Sequence, residues 1–139
     1  MTTIANMLEQ DFGTLPALIH AHATERPGHP VLVQDGHSVS YAELDALMDR
    51  VAASLQRDGL QPRDAIAICA GTSIDYAVLF LGALRAGVAV APLAPSSTAD
   101  SLAVMIEDSG ARLLLLQASH SSGNDVIQSQ SLKDDGSQA

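Results

Sequence analysis

The sequence predicts an α/β fold: a hairpin and a capped helix as lead-in, followed by a βαβαβ unit on a parallel sheet. Three observations carry this. From residue 65 onward, short apolar runs at 65–70, 88–92 and 112–117 replace the helical spacing seen earlier. Helical segments at 73–86 and 99–109 separate those runs, which is the order of a parallel sheet with crossovers packed on both faces. Before them, Asp35-Gly36 sits between two β-prone runs, the two-residue signal of a tight hairpin.

The elements follow in chain order. Thr14 precedes Leu15, Leu18, Ile19 and His22, whose spacing is that of an amphipathic helix, with Pro16 tolerated in a first turn whose amides need no helical partner. That helix stops before Pro27. Residues 31–34 and 37–40 form the hairpin. Ser40 then caps a helix with Glu43 three residues on, a spacing that lets each side chain bond the other's backbone amide. The helix runs from Tyr41 to about Asp58, with Tyr41, Leu44, Leu47, Met48, Val51 and Leu55 on one face and Asp45, Asp49, Arg50 and Arg57 mostly off it. Gly59 ends it, since glycine accepts the left-handed conformation common there. Thr72 or Ser73 opens the next helix and Gly87 closes it; Ser97 or Thr98 opens the last and Gly110 closes it. The crossovers are expected to be right-handed.

The chain of 139 residues fits one domain, long enough to bury roughly two thirds of its unfolded surface. Its residues divide into a lead at 1–14, a domain at 15–117 and, from the Ser, Gln, Asp and Gly that crowd 118–139, a polar tail expected to be disordered. A net charge of -9 creates a field that repels phosphate backbones, so nucleic acid is not an expected partner. Residues 77–95 are the most apolar stretch and hold one charge, Arg85, but Gly82, Gly87, Pro92 and Pro95 interrupt them. A bilayer span needs about 20 uninterrupted apolar residues, and none is expected. The N-terminus carries Glu9 and Asp11 without a basic start and an apolar block, so it does not read as a secretory signal. Cys69 is the single cysteine, which excludes an internal disulfide and fits a reducing cytoplasm. Inside an apolar run it reads as a small core residue rather than a reactive thiol.

Candidate chemistry is sparse. The turn Ala70-Gly71-Thr72-Ser73 lies between a strand and a helix N-terminus, where exposed amides can hold a phosphate, but it has one glycine and no lysine and reads as an ordinary capped start. His20 and His22 point apart on a helix and share no metal edge. His29, His37 and His120 lie in or near turns without acidic partners at ligand spacing. Glu107-Asp108 reads as a solvated face, and Glu43 is accounted for by its capping role. Ser121-Ser122-Gly123-Asn124 begins like a phosphate loop but lacks the threonines, glycine and lysine that complete one.

Three segments carry a family resemblance. Ser40-Tyr41-Ala42-Glu43-Leu44 is similar to an "[ST]-Y-x-E-L" signature. Leu84-Arg85-Ala86-Gly87-Val88-Ala89-Val90-Ala91-Pro92-Leu93 is similar to "L-[KR]-A-G-x-x-x-x-P-L". Ile106-Glu107-Asp108-Ser109-Gly110-Ala111-Arg112 is similar to "I-x-D-S-x-A-[KR]". In this order and spacing they resemble the start of the adenylate-forming (AMP-binding) enzymes: acyl-CoA synthetases, 4-coumarate-type aryl-CoA ligases and peptide-synthetase adenylation domains. The resemblance covers about residues 15–117. It departs at Ala94-Pro95, where the family has "N-P", and ends at Gln117.

The resemblance implies an incomplete version of that family's large N-terminal domain. It implies a reaction in which ATP and a carboxylic acid give an acyl-adenylate and pyrophosphate, and a thiol such as coenzyme A takes the acyl group. The family's cofactors are ATP, Mg²⁺ and coenzyme A. Its working residues lie in a Ser/Thr/Gly-rich loop ending in lysine, an aromatic motif with a Thr-Glu pair, a ribose-binding aspartate and a C-terminal lysine, none of which has a matching position here. No catalytic, cofactor-binding or metal-ligating residue is therefore carried over. The expectation is a chain truncated or split before its phosphate loop and inactive alone. The alternatives are an interaction module that pairs with the missing remainder or a homologous chain, and, last, a small nucleotide-binding domain using the Gly71 turn.

Overall fold

The computed structural model describes Ile4, residues 14–119 and residues 125–132. Helix α1 (Leu15–Glu25) leads into the hairpin β1 (Pro30–Gln34) and β2 (His37–Ser40), then helix α2 (Tyr41–Arg57). Strand β3 (Ala65–Cys69), helix α3 (Ile74–Arg85), strand β4 (Ala89–Leu93), helix α4 (Ala99–Ser109), strand β5 (Ala111–Ser119) and strand β6 (Asp125–Ser131) complete it.

Local chemistry sets these boundaries. Asp35 and Gly36 both take positive φ, 49° and 82°, which closes the hairpin in two residues. The Ser40 hydroxyl accepts from the Glu43 amide and the Glu43 carboxylate accepts from the Ser40 amide, each at 3.2 Å, so the expected capping box is present. Of the alternatives for the later helices, Ser73 caps α3 and Thr98 caps α4.

The larger sheet has the order β4-β3-β5-β6. β3 is central, parallel to β4 on one side and to β5 on the other. Between Ala65↔Ala111 and Ile66↔Leu113 the register shifts, leaving Arg112 as the extra residue of a bulge. Its guanidinium donates to Asp64 Oδ2 at 3.0 Å.

Strand parity divides the core. On one face Ile66, Ile68, Leu113, Leu115 and Val88 pack against Ala52 and Leu55 of α2, Ala83 of α3 and Ala86 at its C-cap. On the other, Ala67, Cys69, Leu93 and Leu114 meet Leu102 and Ile106 of α4. A third cluster joins the hairpin to the helices: Val31, Leu32 and Val39 lie over Ile19, Leu44, Met48 and Val78. Leu44, Met48, Ile66 and Ile68 are fully enclosed, each contributing about 1.5–3 kcal/mol of burial.

The expectation of a disordered tail at 118–139 is corrected for the residues described. β5 runs past Gln117 to Ser119, and β6 pairs with it antiparallel over seven residues, from Leu113↔Ser131 to Ser119↔Asp125. Composition argued against order because the segment has few apolar residues. An edge strand needs fewer: Ile127 packs against the core while Gln128, Ser129 and Gln130 are exposed and the backbone ladder holds the strand. Residues 120–124 and 133–139 lie outside the described residues, as does nearly all of the expected lead at 1–14.

Candidate functional site

In an open parallel sheet, ligands bind beyond the carboxyl ends of the strands, where successive crossovers leave in opposite directions. Here that point is the end of β3, because the chain goes from β3 to β4 on one side and then returns across to β5. The turn at 70–73 stands there, with α3 beginning at its far end. A shallow crevice of about 250 Å³ adjoins it, lined by Leu32, Val33, Gln34, Thr72, Ser73 and Ile74 among others.

One amide of this turn and two in the first turn of α3 are engaged by the protein itself. Gly71 N–H donates to Gln117 Oε1 at 2.8 Å, across from β5. Ile74 N–H donates to Gln34 Oε1 at 3.0 Å, while Gln34 Nε2 reaches the Thr72 carbonyl at 3.4 Å. Tyr76 N–H donates to the Ser73 hydroxyl. Two neutral carboxamides and a hydroxyl thus stand where an anion would lie. The arrangement joins β1, β3, β5 and α3, and its side chains are two carboxamides and a hydroxyl that caps the helix.

The described histidines do not converge. His20 Nδ1 lies 3.0 Å from Asp45 Oδ2. His22 stacks on Tyr41, centroids 4.7 Å apart, and its Nδ1 is enclosed without a hydrogen-bond partner among the described residues. His29 Nδ1 lies 2.9 Å from the Pro30 carbonyl oxygen. His37 is exposed, and His120 and Ser121-Ser122-Gly123-Asn124 lie outside the described residues. Among the described residues no group of three or more His, Cys, Asp or Glu is placed to hold a metal ion. Glu107 and Asp108 are exposed. Cys69 is buried, and burial pushes its thiol pKa up.

One polar cluster escaped the sequence reading. Arg85, the lone charge of the apolar stretch, donates to Asp45 Oδ1 at 2.7 Å, the Asp45 carbonyl at 2.8 Å, Asp49 Oδ1 at 3.0 Å and the Pro16 carbonyl at 3.2 Å. It ties α1, α2 and α3 together. Burial alone would raise the Asp45 pKa, but hydrogen bonds from His20 and Arg85 hold it below the ordinary carboxylate range. Periodicity placed Asp45 off the apolar face without naming its partner. The usable signal was Arg85 itself, a charge inside an apolar helix that needs a counter-charge.

A family model described as AMP-binding enzyme matches residues 19–138. The chain belongs to this family. Within it, the chain is 36% identical over 111 residues to phosphinothricin tripeptide synthetase PhsB of Streptomyces viridochromogenes, covering 79% of this chain and 9% of that protein. It is 34% identical over 100 residues to gramicidin S synthase 2 of Brevibacillus brevis, covering 72% of this chain and 2% of that protein.

Among solved structures, Klebsiella oxytoca NpsA in complex with 3-hydroxyanthranilyl-AMSN superposes with a TM-score of 0.73 at 22% identity, over 80% of this chain and 23% of that one. The N-terminal domain of FACL13 from Mycobacterium tuberculosis gives 0.72 at 23% identity, over 76% and 27%. At these identities the likeness is one of fold. The chain therefore spans less than a tenth of those two curated relatives and about a quarter of these two solved chains. Among the described residues no helix is long and apolar enough to cross a membrane.

Proposed function

We propose that this chain is the opening, scaffolding portion of an ATP-dependent ligase that joins a carboxylic acid to AMP and then passes the acyl group to a thiol. The observation that carries the reading is where the three family-like segments fall. Ser40 to Leu44 form a helix cap, Leu84 to Leu93 form the α3–β4 joint, and Ile106 to Arg112 form the α4–β5 joint. All three are architecture. The residues that bind ATP and Mg²⁺ lie elsewhere in such an enzyme, and at the Gly71 turn a phosphate would compete with Gln117 for the Gly71 amide and with Gln34 for the Ile74 amide at the start of α3.

The relatives named as a tripeptide synthetase and a gramicidin S synthase favour an acceptor thiol within a larger synthetase over free coenzyme A. A cytoplasmic setting accords with the single, buried cysteine. The chain alone is expected to give no ATP–pyrophosphate exchange with Mg²⁺ and a panel of carboxylic and amino acids; measurable exchange would overturn the scaffolding role.

The open sheet favours a second reading. Among the described residues, β4 and β6 each pair on one side only. On this reading the chain pairs with a complementary or homologous synthetase chain through those edges. Native mass spectrometry with the remainder of a related adenylating domain tests it. A complex is expected, and a folded monomer indifferent to that remainder would end this reading.

A further inference from the structure

Two Asp-Gly dipeptides lie within the described residues, Asp35-Gly36 at the hairpin tip and Asp58-Gly59 at the end of α2; a third, Asp135-Gly136, lies outside them. The first two are the same chemical unit in different mechanical settings. We propose that Asp35-Gly36 is a site of spontaneous isoaspartate formation in the folded chain, and that the fold protects Asp58-Gly59 from the same change.

The reaction begins when the Gly36 nitrogen bonds to Asp35 Cγ. The carboxyl hydroxyl and the amide proton leave together as water, closing a five-membered imide. Solvent water then adds to one of the two ring carbonyls. Cleavage of the bond from nitrogen to the Asp35 main-chain carbonyl carbon leaves the chain running through the side chain, as isoaspartate. Cleavage at Cγ restores aspartate. No cofactor is required, and atoms and charges balance with water as the only co-reactant.

The settings differ in what must move. The attacking nitrogen has to swing onto its own aspartate's side chain, which means rotation about the aspartate Cα–C bond. At the hairpin, Asp35 is exposed, an atom added at the Gly36 Cβ position would meet nothing within 4 Å, and the Gly36 amide has no acceptor among the described residues. Rotation there disturbs only a two-residue loop beyond the terminal pair Gln34↔His37. At α2, Gly59 N–H donates to the Gln56 carbonyl at 3.1 Å and Leu60 N–H to the Leu55 carbonyl at 3.0 Å. These bonds close the helix around Gly59, at φ 89°, and seat Leu60, 6% exposed, against the core. Rotation there must break both bonds and unseat Leu60.

The change at Asp35 reaches beyond the tip. Isoaspartate adds a methylene to the main chain of a loop whose length fixes the strand register. Gln34, the preceding residue, holds the Ile74 amide and the Thr72 carbonyl. Ageing of the tip therefore loosens the hairpin from the first turn of α3.

The test is incubation of the folded chain at neutral pH and body temperature, with a parallel sample in strong denaturant, followed by peptide mapping for the imide and electron-transfer fragmentation for isoaspartate. In the folded sample, modification at Asp35 should exceed that at Asp58 by about tenfold, the factor expected when two hydrogen bonds must open first. In denaturant the two sites should react alike. Hydrogen exchange at Ile74 should be faster in the modified fraction. Asp35→Asn, which keeps the turn preference, should form the same imide with loss of ammonia, while Asp35→Ala should remove the signal. Equal rates at both sites in the folded chain, or a folded Asp35 no more reactive than Asp58, would overturn the proposal.

Discussion

The two faces of the sheet are covered by layers of different quality. On one, α2 and α3 press so closely that Gly82 faces Val51 with no room for a methyl group, and fully enclosed Leu44 and Met48 lie between the helices and the hairpin. On the other, α4 buries none of its residues fully; Leu102 and Ile106 are half-buried, and Val104 and Met105 face outward at 58% and 37% exposure. Leu116, on the α4 side of β5, is 40% exposed. One layer is a finished interior. The other has the reach of a layer but not the closure, and most of the fold's stability should therefore reside in the α2–α3 side.

The largest expected difference comes from matched truncations. Met48→Ala should cost about 2–5 kcal/mol, the range for emptying an enclosed site. Ile106→Ala, in a half-buried site able to relax, should cost less than half as much. Urea midpoints compared at constant slope check this, and equal losses would erase the contrast. Next is Gly82→Ala. Its new Cβ would lie 2.5 Å from Val51 Cβ and 3.3 Å from the Met48 carbonyl oxygen, so the helices must part, at about 1–3 kcal/mol. An unchanged melting temperature would show that the α2–α3 contact is looser than its geometry.

The smallest effect is electrostatic and also lies on the α2–α3 side. The Asp45 pKa is lowered in the folded chain, so its contribution is fully present above the unfolded aspartate value of about 3.9 and is lost as pH falls through the folded value below that. Asp45→Asn should remove about 1 kcal/mol at neutral pH and flatten the acid limb below about pH 4. Asp64 retains part of that limb, since its bonds from the Gln61 amide and Arg112 also lower its pKa. A variant with an unaltered acid limb would remove Asp45 from the clamp.

Local signals carried most of the architecture. The Ser40–Glu43 box, the Asp35-Gly36 turn and the glycine after each of α2, α3 and α4 are decided by neighbours within a few residues, and such patterns lie on the surface of a sequence. What escaped depends on distant partners. Arg85 meets Asp45 across 40 positions and Gln117 meets Gly71 across 46, and neither pairing has a local mark. β6 escaped for a related reason. Its order comes from the edge of β5 rather than from its own apolar content, and a composition argument evaluates only the segment itself. The candidate site was legible as a place, the turn after β3, while its occupation by Gln34 and Gln117 was not.

The central position of β3 has a consequence for how the chain acquires its structure. β3 cannot be completed in the order of synthesis: β4 supplies one neighbour within about 20 residues, but the other side waits for β5, which starts at Ala111. A nascent chain ending before that point exposes Ile66 and Ile68 along an open strand edge, while the hairpin and α2, built from local contacts, are already able to form. Closure of the β3–β5 pair is thus the long-range step expected to limit the folding rate. Until Leu113 to Leu116 arrive, this apolar strand is where misassociation of the emerging chain would begin.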